Sequence, residues 1–381
     1  MSAAQTLLHA FVRWTEFVAL TTLVGGLVFP CLIVRPPFLL RQEFDRFERR
    51  CHSVRALSLL LLGLASLADL LLRSLVMSGR GMADLGAALP AVLHQTHYGV
   101  VWISRLGVLG LLGAAWLIRR RGAPGGAWSV RVSVLGATLV ALTTTLSGHA
   151  ADWGDVTLPV LIDWLHLLAI SIWIGGLFIL GFVLPTSVAP PGKGETVRGL
   201  ASLAARFSRM AAWCTAVFLV TGWYNAWLQV ASLSPLLSTS YGWTLLAKLS
   251  LLSLVLMIAA VNRYYFLPQL DHHPGARDRP LFRVFVRFAG KLATGKQHGD
   301  PGDMRHQFLK VVRLEWIVAV GMLACAALLT QLPPGRHIRR HEHREQHAVH
   351  QSARREITPQ WALAASGSPL TAQSVMRTRF Q

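Results

Sequence analysis

The side chains best suited to chemistry in this sequence are histidines set in or beside apolar runs. They are His149 in Ser147-Gly148-His149-Ala150, His166 in Trp164-Leu165-His166-Leu167, and His9, His94 and His97 near the ends of other runs. Neutral imidazole is the commonest protein ligand for copper and zinc. His149 and His166 fall on consecutive antiparallel segments joined by a short connection, so they can meet near one surface. A second set is ionisable: Glu16, Asp69, Arg105, Asp163 and Lys248 each interrupt an apolar stretch, with Asn225 at a similar depth. Burying a charge in hydrocarbon is costly, so Arg105 and Lys248 are expected to neutralise Glu16, Asp69 or Asp163 rather than to bind substrate. A lone histidine would more often hydrogen-bond inside a bundle. Polar groups from six segments at one level instead predict a shared, outward-facing site.

A third set crowds the C-terminus: His337, His341, His343, His347 and His350, in which one helical turn can bring two pairs spaced by four residues each to a single ion. A basic tail without specific affinity is the competing reading. Met210 and Cys214 share a helical face, with Cys31 and Met257 at comparable depth, but ordinary packing explains those spacings better than a Cu(I) route.

The elements that must position these groups are membrane spans. Hydrophobic residues make up 53% of the 381 positions and charged residues only 14%, too apolar for a soluble chain of this length. Eight segments supply the roughly 20 apolar residues a spanning helix needs: about 7–33, 55–77, 99–118, 131–150, 158–184, 207–230, 242–267 and 311–331. The expected fold is an all-α polytopic bundle in a lipid bilayer, with residues 7–33 a retained span rather than a cleaved leader. The stretch Phe38 to Cys51 places Phe44 and Phe47 among arginines, which predicts an interfacial segment with its aromatics in lipid.

The net charge of +19 does not indicate nucleic acid, because its placement alternates. Basic residues gather in odd connections, such as Arg46, Arg49 and Arg50 in the first, Arg119 to Arg121 in the third and Lys193 with Arg198 in the fifth. Even connections hold almost none. Odd loops are therefore expected in the cytoplasm and both termini on the opposite side, the periplasm in a Gram-negative cell. The Arg-rich tail runs against that trend. The cysteines Cys31, Cys51, Cys214 and Cys325 form no CxxC pair, and no G-x-x-x-x-G-K-[ST] or H-E-x-x-H sequence occurs, which disfavours a thiolate zinc site, ATP-driven pumping and enzymatic function.

The sequence also echoes itself. Thr96-x-Tyr98-Gly99 with Arg105 matches Thr239-x-Tyr241-Gly242 with Lys248, and Gly25-Gly26 matches Gly175-Gly176. Two related four-helix halves in parallel orientation are the implied design.

With these residues assembled, the chain resembles the CopD/PcoD copper-resistance membrane proteins. The resemblance is carried by Ser147-Gly148-His149-Ala150, Trp164 to Ala169, Trp173 to Leu177, Arg206-Phe207-Ser208-Arg209, Thr221 to Asn225, Tyr241-Gly242 with Lys248, Asn262-Arg263, and Glu315 ahead of Pro333-Pro334. It implies a transmembrane domain over residues 1–333, with a family-like core from about 135 to 333, and leaves 334–381 as a His/Arg-rich tail. It further implies an inner-membrane protein that handles a copper ion, with His149 and His166 as ligands and a periplasmic copper-binding protein as possible partner. A copper-uptake or tolerance permease working without nucleotide hydrolysis is the leading expectation. A haem b electron carrier and a scaffold for cuproenzyme assembly are its rivals, and the ligand chemistry alone does not separate copper from zinc or nickel.

Overall fold

A computed structural model describes residues 2–34, 39–78, 85–120, 126–188, 195–230, 237, 239–270 and 301–333. The expected tail site, His337 to His350, lies outside the described residues. Those described contain helices and no strand, as the bilayer requires: without water to bond exposed backbone groups, a chain satisfies them within helices.

We number the helices α1 (Ala3–Leu32), α2 (Arg41–Ser78), α3 (Leu85–Gln95), α4 (His97–Arg120), α5 (Gly126–Leu146), α6 (Leu158–Ser187), α7 (Glu195–Val230), α8 (Ser240–Leu270) and α9 (Pro301–Leu329). All but α3 and α5 are long and apolar enough to cross a membrane, and α5 carries the shorter apolar stretch Val130–Leu146. The eight expected spans each fall on one of these helices. The short α3 was not foreseen; its Pro90 and eleven-residue length make it a connection rather than a span.

Helices α1 and α6 bury most of their length and form the centre of the bundle. Their crossing is set by the glycines that the sequence echo paired. A Cβ on Gly25 would run into the Gly175 backbone, and one on Gly175 into the Thr21 carbonyl oxygen. Small residues permit such approach where lipid offers no hydrophobic drive for helix association. The other echoed motif is a helix cap. Thr96 Oγ1 accepts from Gly99 N at 3.1 Å and Thr239 Oγ1 from Gly242 N at 3.0 Å, so T-x-Y-G starts α4 and α8 in the same way.

The interfacial reading of 38–51 is corrected. Residues 41 onward continue α2 without a break, and Phe47 is fully buried with its ring 6.3 Å from Phe29, while Phe44 packs on the main core. The aromatics face protein, and the hydrophilic side of the turn carries Glu48, which gathers Arg55 at 3.0 Å and Arg119 at 2.9 Å. Two π-turns, Ile179–Val183 in α6 and Asn262–Phe266 in α8, were also invisible in the apolar pattern.

Candidate functional site

The polar groups expected at one level divide into two neighbouring sets. The first is a buried ion cluster built by α1, α2, α4 and α5. Glu16 is its centre: Oε1 accepts from Arg105 Nη1 at 2.6 Å and Oε2 from Arg13 Nη1 at 2.9 Å, with Thr144 Oγ1 at 3.1 Å. Asp69 receives the Arg73 guanidinium at 3.1 Å and the Tyr98 hydroxyl at 2.6 Å.

This cluster also terminates a helix. The last carbonyls of α5 are short of helical donors: Ser147 N reaches Thr143 O at 3.2 Å and Gly148 N reaches Thr145 O at 2.9 Å, and arginines add further donors. Arg105 Nη2 donates to Thr143 O at 2.8 Å, Arg13 Nη2 to Thr144 O at 2.8 Å and Arg73 Nη2 to Ser147 O at 3.4 Å. Ser147 Oγ accepts from both Arg13 and Arg105 at 3.1 Å. Three guanidinia against two carboxylates leave a positive excess, which the negative end of the α5 dipole offsets. The expected fourth span, which ran to residue 150, therefore stops at Leu146, and the chain turns through Gly148 into a 3-10 turn, His149–Trp153. His149 is thus launched from a rigidly held end.

The second set lines a cavity of about 200 Å³ on the face opposite the basic loops. His149 enters it from the 3-10 turn, Asp163 and His166 from α6, Asn225 from α7 and Lys248 from α8. Asn225 Nδ2 donates to Asp163 Oδ1 at 2.9 Å. His149 Nδ1 stands 3.8 Å from Asp152 Oδ2.

His166 is held on three sides by α7. Its Nδ1 lies 3.0 Å from Thr221 Oγ1, its ring sits 4.8 Å from that of Phe218, and Gly222 leaves the notch it occupies, since a Cβ there would come within 3.0 Å of His166 Cε1. Thr221 Oγ1 is also 2.7 Å from the Val217 carbonyl, an acceptor that takes the hydroxyl proton. Thr221 then accepts from His166 Nδ1–H, which fixes the tautomer with a lone pair on Nε2, the arrangement typical of a ligating histidine.

The remaining predicted residues lie elsewhere. His9 is buried beside the Asp69–Arg73 pair, His94 is exposed on α3, and His97 meets Asp155 at the surface at 2.9 Å. None of the three lines the cavity. Among the described residues, no three of His, Cys, Asp and Glu gather closely enough to hold a metal ion by themselves. Sequence reasoning passed over Arg13 and Arg73, although each had a signal: an acidic residue three positions after Arg13 and four before Arg73.

Comparison with known proteins matches the two parts of the chain separately. The family described as "Copper resistance protein D-like, N-terminal domain" matches residues 2–158, and "Copper resistance protein D" matches residues 201–329. The "Copper transport protein CutJ" of Bacillus subtilis is 26% identical over 327 residues, covering 83% of this chain and 51% of its own length. The "Copper resistance protein D" of Pseudomonas syringae pv. tomato is 30% identical over 249 residues, 62% of this chain and 78% of that protein. The chain thus spans about half the length of the Bacillus relative. No solved structure matches it.

Proposed function

Because this chain belongs to the copper resistance protein D family, we propose that it is a copper permease that captures its substrate ion in the outer cavity and passes it inward. The observation that carries this reading is that His149 and His166, from consecutive elements, line one cavity, with His166 Nε2 left for ligation. Two imidazoles supply borderline nitrogen donors suited to copper, and substrate-derived ligands or water complete the shell. Asp163 and Lys248 carry opposite charges in the same cavity, and Arg13, which also lines it, is paired with Glu16, so the ion is taken by lone pairs rather than by a strong net field. Helices α6 to α9 hold most of the cavity, and Arg13 and Phe17 of α1 and Thr144 and Thr145 of α5 close it. The α1–α5 ion cluster serves as the rigid wall from which His149 is suspended.

On this reading the basic loops are cytoplasmic, the cavity faces the periplasm, and movement is inward. The test is copper flux into liposomes containing the full chain. The intact protein accumulates copper, and His149→Ala and His166→Ala each reduce uptake at least tenfold while preserving the folded helical signal. Uptake undiminished in both variants would remove the site.

A further inference from the structure

A second cavity, of about 400 Å³, lies among α6, α7, α8 and α9 toward the basic loops. Phe218 packs against the lining of both cavities, its ring 4.8 Å from His166, which lines the outer cavity, and 6.0 Å from Trp173, which lines the inner one.

The inner cavity is built around a single carboxylate. Glu315 is 3% exposed, and its Oε2 accepts from Asn262 Nδ2 at 2.6 Å. Among the described residues, no cation lies within ion-pair distance of it. Arg263, the other charged group lining the cavity, spends Nη1 on the Ser208 carbonyl at 2.9 Å. From α6 come Trp173 and aliphatics, and from α7 Ser208 and Thr215, none of them ionisable. On α9 itself Arg313 donates to the Gly181 carbonyl at 2.9 Å and Lys310 is exposed. Helix α1, which also packs on α9, meets it through Trp14 Nε1 on the Val320 carbonyl.

Asn262 supplies a second, independent observation. It is 8% exposed, lines the same cavity and opens the π-turn of α8, and its Oδ1 is buried with no hydrogen-bond partner. A stranded buried acceptor calls for an explanation. An ionised Glu315 requires the amide to present Nδ2, which strands Oδ1. A protonated Glu315 lets the amide turn over, so that Oδ1 accepts the carboxylic O–H. The pair therefore has a satisfactory arrangement for each protonation state, and π-turns recur at such functional positions.

We infer that Glu315, held by Asn262, is a proton-binding site that exchanges with solvent on the basic-loop face through the inner cavity, and that copper passage is coupled to it. In the loading step a hydronium proton in the cavity transfers to a Glu315 carboxylate oxygen, leaving water and a neutral acid; release is the reverse. The coupling rests on the transport reading above, whereas the proton site does not.

The test has a copper-free arm and a copper arm. With chelator present, infrared difference spectra between acid and alkaline buffer are recorded for the full chain in liposomes. The intact protein gives a titrating carboxylic-acid carbonyl band that Glu315→Gln removes and Asn262→Leu shifts; spectra identical in the intact protein and Glu315→Gln overturn the proton site. Should Glu315→Gln not fold, the intact protein is treated with a hydrophobic carbodiimide and digested for mass spectrometry. Glu315 modified in acid but not in alkali supports the site, and Glu315 unmodified throughout overturns it. In the copper arm, uptake by the intact protein varies with pH on the basic-loop side and Glu315→Gln loses that dependence. A retained dependence overturns the coupling and leaves capture at His149 and His166 to its own test.

Discussion

Replacing Glu16 by Gln separates a structural charge cluster from a surface salt bridge. The carboxylate accepts charge-assisted bonds at 2.6 and 2.9 Å from Arg105 and Arg13, which are 1% and 4% exposed. Such bonds contribute about 1.5–3 kcal/mol each, and removing one partner of a buried pair costs about 3–5 kcal/mol because the other charge is stranded. Both guanidinia keep their α5 carbonyls, Thr143 O for Arg105 and Thr144 O for Arg13, so the loss should sit near the lower end, about 3 kcal/mol. Glu48 is the internal control. It meets Arg55 and Arg119 at similar distances but is 21% exposed, and solvent screening limits the loss in Glu48→Gln to about 1 kcal/mol. Equilibrium unfolding of the reconstituted protein measures both. Equal effects of the two substitutions, or a Glu16→Gln loss below about 0.5 kcal/mol, the range of ordinary surface changes, would refute the assignment of Glu16 as the keystone of the α5 end.

Further expectations follow from particular contacts. Thr221→Val removes the acceptor for His166 Nδ1–H and should weaken copper binding by about 10- to 100-fold, the usual effect of losing a partner behind a metal-ligating histidine; titration calorimetry with a competing chelator reads this, and unchanged affinity would count against the tautomer argument. Gly175→Ala forces a Cβ into the Thr21 carbonyl and should destabilise the bundle by about 1–3 kcal/mol, visible as a lower unfolding midpoint, whereas Ala at Gly110 in the interior of α4, where a Cβ meets nothing, should cause no loss and a gain of at most about 1 kcal/mol. Phe47→Ala should cost about 3–5 kcal/mol because the ring is enclosed by protein; a lipid-facing ring would show almost no loss in the same unfolding assay.

The bundle was legible because a bilayer imposes one length and one polarity on each span, and the echoes were legible because each has a local physical cause. T-x-Y-G is a cap, and the paired glycines are where α1 and α6 touch. That His149 and His166 line one cavity could be read from a short connection between antiparallel spans. Depth along a helix, however, does not say which way a side chain points. Glu16, Asp69 and Arg105 share a level with His166 and Lys248 yet face a different set of helices, so the single shared site became an ion cluster and a cavity. Phe44 and Phe47 misled for a related reason, since aromatics among arginines look interfacial whether the apolar side meets lipid or a neighbouring helix. Glu315 and Asn262, far apart in sequence, meet only through the packing of α8 on α9.

The central claim, copper held by histidines of the outer cavity, is met most directly by X-ray absorption at the copper edge of the loaded, membrane-embedded protein. Imidazole scattering that falls by about one ligand in His149→Ala and again in His166→Ala is the predicted result. Sulfur ligation, or a spectrum that neither substitution alters, would contradict it.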